Sequence, residues 1–424
     1  MPKTVIVVLD GAADGSRFRP TSLELAETPS LDKLAKTAVA GCFYPIDDRT
    51  PPESDAAVLS ILGYDVESLG IGRGVLEALG VGIRIREGYE VAFRANFATV
   101  DPSSKKILDR RVGRNLSSEE AAVLARAIDR IDLGMYGGYA RVIATVGHRA
   151  VVVIGSRDKR LSANVSNTDP AYERRGKVSV ALKNFDPYIA PCKPLDNSEE
   201  AKVTCDLVNA FTSKVIEILD RHEINVEREK KGFLKANAIL LRDAEDRIPS
   251  VTPINEMYRK RFGIVAEMPV EIGIGVLLGM DVGRVSLYGD KEVLYRERVE
   301  ATLKLLERND VVYVHLKGPD EPGHDGDKER KVRAIEVIDR YYIQPLLNSL
   351  DLDETAVIVT SDHCTPPELK AHSSDPVPFI VSYRKLKKFD SISRFTEYEC
   401  CTKGSLDVLE SGRLLLNKVF SLLM

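Results

Sequence analysis

The chain has little net charge and no long apolar run, and both absences exclude classes of protein. Its 60 Lys and Arg residues are balanced by 64 Asp and Glu residues, which gives a formal net charge of −4. Dedicated nucleic-acid binders usually carry a strong basic excess, so we expect no nucleic-acid partner. No apolar run approaches the roughly 20 residues that span a bilayer. The first residues lead straight into a strand pattern, so we expect no signal peptide, no membrane association and a cytoplasmic location.

The chain also lacks any CxxC pair, although it contains six cysteines. We expect a reducing compartment to keep all six as thiols. Cys364 is expected to be a buried or semi-buried thiol and not a metal ligand.

Alternating strand and helix patterns occupy both ends of the chain. They predict strands at residues 4–9, 311–316 and 356–360, and helices at 30–38, 55–62, 292–307 and 331–347. The middle differs, with a strand at 89–101, a helix at 117–129, a hairpin at 141–155 and a helix at 201–222. The glycine-rich stretch at 69–85 resembles a dinucleotide-binding motif but lacks a preceding strand, so we interpret it as turns near a domain junction.

Six residues that can bind metal follow predicted strands of the two terminal segments. They are Asp10, Asp320, His324, Asp362, His363 and His372. In open α/β sheets ligands bind beyond the carboxyl ends of the strands, so these side chains are expected to share one edge. Mixed carboxylate and imidazole ligands suit manganese, zinc or cobalt better than magnesium. Pro and Gly residues favour a loop between Asp320 and His324. The alternative is a set of unrelated surface acids and core histidines.

Because these residues lie only in the terminal segments, we predict a discontinuous α/β domain with a doubly wound sheet. Residues 1–85 and 265–424 would form this metal-binding domain, and residues 86–264 would be an inserted α+β cap domain of ordinary domain size.

Ser54 precedes a helical pattern in RTPPESDAAVLSILGYD. A lone serine at such a place is commonly an N-cap. A helix N-terminus also favours phosphoryl oxygens, and a nearby metal would lower the pKa of the serine hydroxyl and make it a nucleophile. No GxSxG signature surrounds Ser54, which favours metal activation over a Ser-His-Asp triad.

The middle segment contains candidate substrate-binding and acid/base residues. Arg110, Arg111 and Arg114 share the short segment LDRRVGR. Such a segment is either a solvated basic loop or, because guanidinium groups match phosphate and carboxylate, a substrate-binding loop. His148 and Asp169 are candidate acid/base residues, and each is equally compatible with a structural hydrogen bond.

The sequence resembles the archaeal-type branch of the cofactor-independent phosphoglycerate mutases, members of the alkaline phosphatase superfamily. The resemblance is carried by blocks such as ESDAAVLSILGYD, LDRRVGR, KGPDEPGHDGD and TSDHCTPPELKAHSSDPVPF. It implies an alkaline-phosphatase-like domain that carries the metals and an inserted domain that binds substrate. It also implies a phosphorylated Ser54, one metal held by Asp10, Ser54, Asp362 and His363, and another held by Asp320, His324 and His372.

Three positions depart from the pattern of that family. The family has a lysine where this chain has Ile272, RGAG where Asp243 follows Arg242, and SDTDP where this chain has Asn167. The family lysine would assist phosphoryl binding, so the contacts to the substrate are expected to differ here.

We therefore expect interconversion of 3-phosphoglycerate and 2-phosphoglycerate, in glycolysis and gluconeogenesis, through a phosphoserine at Ser54. The expected cofactors are two divalent metal ions, manganese first and zinc, cobalt or magnesium as alternatives, without 2,3-bisphosphoglycerate. The main alternative is a metal-dependent phosphomonoesterase or phosphonate hydrolase in which water accepts the phosphoryl group. A third hypothesis is a non-catalytic metal-binding or interaction protein, but this hypothesis does not explain why Ser54 belongs to the set of site residues. The only partner indicated is the small-molecule substrate, and the oligomeric state stays open.

Overall fold

The computed structural model describes residues 1–176, 178–287 and 289–424. Strands in these ranges are β1 (Lys3–Leu9), β2 (Ala38–Phe43), β3 (Glu90–Val100), β4 (Ile107–Asp109), β5 (Gly138–Ala144), β6 (Arg149–Ser156), β7 (Tyr172–Arg175), β8 (Val178–Ala181), β9 (Ala238–Glu245), β10 (Phe262–Ala266), β11 (Asp281–Arg284), β12 (Val311–Leu316), β13 (Thr355–Ser361) and β14 (Val377–Ser382).

The α-helices are α1 (Ser22–Leu25), α2 (Pro29–Ala35), α3 (Ser54–Ile61), α4 (Val66–Leu69), α5 (Arg73–Gly80), α6 (Ser118–Ile128), α7 (Glu199–Asp220), α8 (Glu223–Lys230), α9 (Ile254–Tyr258), α10 (Pro269–Leu277), α11 (Lys291–Arg308), α12 (Asp320–Asp325), α13 (Lys328–Ile338), α14 (Gln344–Ser349), α15 (Glu397–Lys403) and α16 (Leu415–Leu423). Short 3-10 turns occur at Ser16–Phe18, Val112–Arg114 and Gly412–Leu414, and a π-helical turn, Asp339–Ile343, joins α13 to α14. Within the described ranges, no helix combines the length and the apolar character needed to cross a bilayer.

The chain divides into two compact units. The first unit comprises Met1–Leu69 and Val251–Met424, and the second unit comprises Gly70–Ser250. Both boundaries differ from those predicted, because residues 70–85 belong to the second unit and residues 251–264 to the first. The glycine-rich stretch explains the first difference. This stretch forms helix α5 and not only the turns that the sequence predicts. A Cβ at Gly74 would lie 2.2 Å from the Asp243 carbonyl oxygen, so only a glycine allows α5 to pack this closely against the rest of the second unit.

The first unit is built on a seven-stranded sheet in the order β11-β10-β12-β1-β13-β14-β2. The strands from β11 to β13 are parallel, and β14 runs antiparallel to both β13 and β2. The central strands are Val-rich and fully buried, as expected for a sheet that is covered on both faces. This arrangement confirms the predicted α/β class with a doubly wound sheet that is discontinuous in sequence.

The register of the central strands brings three polar segments to one edge of this sheet. Leu9, the last residue of β1, pairs with Leu316 of β12 on one side and with Ser361 of β13 on the other. The residues that follow these strands, among them Asp10 and Asp362, therefore leave the sheet side by side.

The second unit has an antiparallel sheet in the order β4-β3-β6-β5, and β9 also pairs with β3. One face of this sheet is covered by α6 and α7, whose buried residues, such as Leu124 and Phe211, form one core with β3 and β6. The other face packs against α5 through Val75 and Ala78. Strands β7 and β8 form a separate hairpin.

The expectation of six free thiols was wrong for four cysteines. Cys42 is bonded to Cys401, and Cys192 is bonded to Cys205. The first pair is separated by 359 residues and joins β2 to α15, so a search for closely spaced cysteines does not detect it. Cys364 is a buried thiol, as predicted.

Candidate active site

Two groups of potential metal ligands lie in the first unit, and they contain all six residues predicted from the strand ends. We call Asp10, Asp362 and His363 the first group, and Asp320, His324 and His372 the second group. In each group the ligand atoms lie within 4.8 Å of one another. The structure therefore brings together each set that the sequence suggested.

The first group is almost completely buried. Nε2 of His363 lies 3.5 Å from Asp10 Oδ1 and 3.4 Å from Asp362 Oδ2. Asp362 Oδ1 accepts hydrogen bonds from the backbone N–H groups of Gly11 and His363, at 2.9 and 3.0 Å, which fixes the carboxylate. Among the described residues, the buried Asp10 Oδ1 accepts no hydrogen bond of ordinary geometry. The first group thus offers two carboxylates and an imidazole, and one of its buried carboxylate oxygens accepts no such hydrogen bond. This set of atoms fits a divalent cation.

The second group is built on a helix and not on the predicted loop. Asp320 and His324 lie one turn apart in α12. Pro322 is in the first turn of α12, where a missing N–H costs nothing, so it does not prevent the helix. The Nε2 atoms of His324 and His372 each lie 3.4 Å from Asp320 Oδ1, and they lie 3.0 Å from each other.

Backbone carbonyls set the tautomers of these two histidines. Nδ1 of His324 donates to the Lys370 carbonyl at 3.2 Å, and Nδ1 of His372 donates to the Pro52 carbonyl at 2.6 Å. A neutral imidazole that carries its proton on Nδ1 presents a lone pair at Nε2. Two such lone pairs 3.0 Å apart, beside a carboxylate, are a donor set for a cation.

Ser54 lies beside the first group. It is the first residue of α3, and its Oγ is 3.2 Å from His363 Nε2. The N-cap of α3 is Glu53, so the simpler interpretation of Ser54 as the capping residue is wrong. The hydroxyl is therefore available at a helix N-terminus, next to a potential metal site.

Neighbouring charges shift the pKa values of side chains in both groups. Burial alone would raise the pKa of the Asp320 carboxyl, but the imidazoles of His372 and His363 hold it well below its usual value. Burial likewise opposes protonation of His363, but Asp362, Asp10 and Asp320 raise the pKa of its imidazole to about 9. Ionised carboxylates thus lie beside imidazoles in both groups, and a divalent cation would neutralise the carboxylate charge in place of protons.

Three residues beneath the first group were missed by sequence reasoning. His315 Nε2 lies 3.1 Å from Asp362 Oδ2, and Lys317 Nζ lies 3.2 Å from Asp10 Oδ2. Lys317 also lies 2.8 Å from the fully buried carboxylate of Glu271. These contacts orient both carboxylates of the first group. The one available signal was a histidine in the otherwise apolar strand β12.

The lysine that the resemblance implies at position 272 has no direct substitute in α10. Ile272 is 6% exposed and packs in the interior. The ammonium group nearest to Asp10 in the described structure is instead that of Lys317, which follows β12.

In the second unit, Arg110 and Asp169 form an ion pair. Nε and Nη2 of Arg110 donate to the two oxygens of Asp169 at 3.0 and 2.7 Å. Asp169 is 1% exposed, and the guanidinium lies over the Tyr172 ring at 5.2 Å. Asp169 thus holds Arg110 in one orientation, which is the structural role that sequence reasoning left open for it.

Arg111 and Arg114 belong to a tightly wound loop. Val112, Gly113 and Arg114 have φ angles of 53°, 62° and 56°, all in the left-handed region. Asp109 Oδ1 stabilises the loop by accepting from the N–H groups of Arg111 and Gly113 at 2.7 and 3.0 Å. A left-handed β-branched residue is costly, and such strain is concentrated at functional sites.

His148 lies in the turn between β5 and β6, among cations. Burial, followed by the charges of Arg149, Arg111, Arg114 and Arg242, lowers the pKa of its imidazole from 6.5 to about 4. His148 is consequently neutral at pH 7 and able to accept a proton.

Further arginines that the sequence did not single out lie near these residues. Arg94 projects from the otherwise buried strand β3, and its Nε lies 3.2 Å from Glu77 Oε1. Burial and the charge of Arg73 lower the pKa of Arg94 to about 10. The charge of Arg242 also lowers this pKa, whereas the charges of Glu77 and Asp243 oppose the shift, so the second unit contains a cluster of arginines that is suited to an anionic ligand.

Comparison with known proteins shows similarity across both units. Residues 35–225 match the profile of a family described as 2,3-bisphosphoglycerate-independent phosphoglycerate mutase. A protein of that name from Aeropyrum pernix is 46% identical over 432 residues, covering 99% of this chain and 99% of the relative. Another, from Archaeoglobus fulgidus, is 38% identical over 97% of this chain and 98% of the relative. The solved structure of a cofactor-independent phosphoglycerate mutase from Thermoplasma acidophilum has 30% identity and a TM-score of 0.63, and the match covers 100% of both chains.

Proposed function

The chain belongs to the family of 2,3-bisphosphoglycerate-independent phosphoglycerate mutases, and we propose that it transfers the phosphoryl group through Ser54 beside two divalent metal ions. Its reaction is the interconversion of 3-phosphoglycerate and 2-phosphoglycerate, a step of glycolysis. The observation that supports Ser54 most directly is its position at the start of α3, with Oγ 3.2 Å from His363 Nε2.

We assign one ion to each ligand group, with Ser54 as a further ligand in the first. Divalent ions held there would lower the pKa of the serine hydroxyl and neutralise charge on the phosphoryl group. Three imidazoles and three carboxylates support manganese, zinc or cobalt over magnesium, and we propose manganese as the ion used. The first unit would then be the metal-binding, phosphatase-like domain.

The reaction takes two transfers that mirror each other. In the first, the Ser54 hydroxyl loses its proton as Oγ forms a bond to phosphorus, the bond from phosphorus to the 3-oxygen breaks, and that oxygen receives the proton. In the second, the 2-hydroxyl loses its proton as it bonds to phosphorus, the bond to Ser54 Oγ breaks, and Oγ receives the proton. We propose that His148, whose imidazole is neutral at pH 7, accepts the proton in each transfer and returns it to the oxygen that leaves phosphorus.

The second unit would supply the charges that bind the substrate. We assign Arg110, Arg111 and Arg114 to the phosphate and carboxylate of phosphoglycerate. Asp169 contributes by fixing Arg110 through the bidentate pair. A rigid guanidinium loses little conformational entropy on binding, which favours orientation of the substrate.

A coupled assay for 2-phosphoglycerate tests this proposal. Protein loaded with manganese is given 3-phosphoglycerate without 2,3-bisphosphoglycerate, and inorganic phosphate is measured in parallel. We expect 2-phosphoglycerate as the main product and little phosphate. Release of phosphate as the main product at saturating substrate would instead support the hydrolase alternative. The variant Ser54→Ala should lose both activities, which shows that neither comes from a contaminating enzyme.

A further inference from the structure

Thr365, which neither sequence reasoning nor the proposed function uses, contacts both ligand groups with a single hydroxyl. Thr365 Oγ1 lies 2.8 Å from Asp320 Oδ1 of the second group and 3.0 Å from His363 Nδ1 of the first group. Among the described residues, the other two site histidines direct Nδ1 to backbone carbonyls. His363 thus depends on a side chain for its orientation.

The chemistry of the partners fixes the direction of both hydrogen bonds. An ionised carboxylate can only accept, so the Thr365 O–H donates to Asp320. The hydroxyl oxygen must then accept from His363, which requires the proton on Nδ1. The second proton of His363 is then the one on Nε2, which faces Asp10 and Ser54, and a metal ion that displaces this proton would bind the Nε2 lone pair.

The surroundings hold this hydroxyl in place. Thr365 is fully buried, its N–H donates to the Ala13 carbonyl at 2.9 Å, and its own carbonyl accepts from Lys331 Nζ at 2.8 Å. Glycines allow the close packing: a Cβ at Gly11 would lie 2.7 Å from Thr365 Oγ1, and one at Gly323 would lie 2.5 Å from its carbonyl oxygen. These contacts hold the Thr365 hydroxyl where it reaches both Asp320 and His363.

We propose that Thr365 is a positioning residue that couples the two metal sites, so that binding at one group raises the affinity of the other. This inference rests on the proposed two-metal site. A metal ion bound to Asp320 would fix the carboxylate to which the hydroxyl donates, and this would fix the lone pair that accepts from His363. A metal ion bound to His363 would act in the reverse direction. Such coupling is reciprocal, because it is a free energy shared by both sites.

The test is a titration of metal-free protein with Mn²⁺, followed by calorimetry and by EPR of the paired ions. Thr365→Val keeps the shape and loses the hydroxyl, and Thr365→Ser is the matched control that keeps the hydroxyl. We expect the wild type and Thr365→Ser to bind two ions cooperatively. Thr365→Val should bind both ions about 10- to 100-fold more weakly, without cooperativity. At saturating Mn²⁺ its KM for 3-phosphoglycerate should stay near the wild-type value, because Thr365 is not assigned to the substrate.

Two ions bound to Thr365→Val as tightly and cooperatively as to the wild type would overturn the inference and leave the proposed function intact. A wild type that binds fewer than two ions would overturn both. If Thr365→Val does not fold, ¹⁵N NMR of histidine-labelled, zinc-loaded wild type provides a second test. We expect His363 to carry its proton on Nδ1 and the metal on Nε2. The opposite tautomer would contradict the proposal.

Discussion

At the scale of single residues, the ligands were predictable because strand ends place them, whereas the residues that orient the ligands were not. Asp10 and Asp362 directly follow Val-rich strands, and the sheet register brings them together. Glu271 and Thr365 act through partners in other elements, and nothing local distinguishes a buried glutamate in α10 from a surface one. Such roles depend on three-dimensional neighbours, which one sequence does not reveal.

The first prediction concerns the protonation of His148. Because burial and neighbouring arginines lower the pKa of the folded imidazole from 6.5 to about 4, the unfolded chain binds more protons between these values. His148 therefore contributes stability that is complete above pH 6.5 and is lost as the pH falls towards 4. NMR titration should show no protonation of His148 above pH 5.5, and Arg111→Ala should raise its pKa. A midpoint near 6.5 in the wild type would refute this environment.

At the scale of elements, segments with a clear hydrophobic pattern were predicted well, and strands whose pattern is interrupted or weak were not. The predicted strand at residues 311–316 coincides with β12, and helix α11 differs from its prediction by one residue at each end. Strand β14 was missed because Pro378 lies within it, and a proline usually argues against a central strand. Strand β2 was missed because Gly41 and small residues weaken its pattern.

The loop after β4 provides the second prediction. Arg114 is exposed and its loop is held by Asp109, so Arg114→Ala should remove a charge without disturbing the fold. Bidentate charged contacts are worth about 1.5–3 kcal/mol, so kcat/KM for 3-phosphoglycerate should fall roughly ten- to a hundredfold. Mn²⁺ affinity should not change. Arg126→Ala, an exposed arginine on α6, is the matched control and should behave as the wild type. Equal kcat/KM values for the two variants would show that the loop is a solvated basic surface and does not bind the substrate.

The third prediction concerns the bond between β2 and α15. Cys42 and Cys401 close a loop of 359 residues, and a long closed loop restricts the unfolded chain strongly. The double variant Cys42→Ala/Cys401→Ala should lower the free energy of unfolding by about 2–4 kcal/mol, measured in urea under oxidising conditions. A reductant should destabilise the wild type more than this variant. Equal stability of variant and oxidised wild type would show that the bond contributes nothing.

At the scale of the whole molecule, the discontinuous organisation was predictable in kind but not in its boundaries. The candidate metal ligands occur only in the first and last segments of the chain, which indicated an insertion between them. The junctions depend on packing, as Gly74 shows: α5 belongs to the second unit because a glycine permits its close approach to the Asp243 carbonyl. The glycine-rich sequence alone does not reveal which of the two units this stretch packs against.

The fourth prediction concerns the metal ions. Removal of metal by a chelator should abolish mutase activity, and Mn²⁺, Co²⁺ or Zn²⁺ should restore it better than Mg²⁺, because the ligands include three imidazoles. Metal should also raise the thermal midpoint, since it binds the folded ligand sets. His222→Ala, which alters a histidine at the start of α8 in the second unit, is the control and should keep the metal response. Full activity in protein shown by elemental analysis to be metal-free would contradict the two-metal account.

The proposed mechanism depends on Ser54, which takes the phosphoryl group and returns it to glycerate. The most direct measurement is rapid quenching of manganese-loaded enzyme with ³²P-labelled 3-phosphoglycerate, followed by peptide mass mapping. We expect phosphate to appear on the peptide containing Ser54 within one turnover and to leave it at the rate at which 2-phosphoglycerate forms. Ser54→Ala should show neither label nor product. Formation of 2-phosphoglycerate by Ser54→Ala at a rate within tenfold of the wild type, or label on a different residue, would contradict the account.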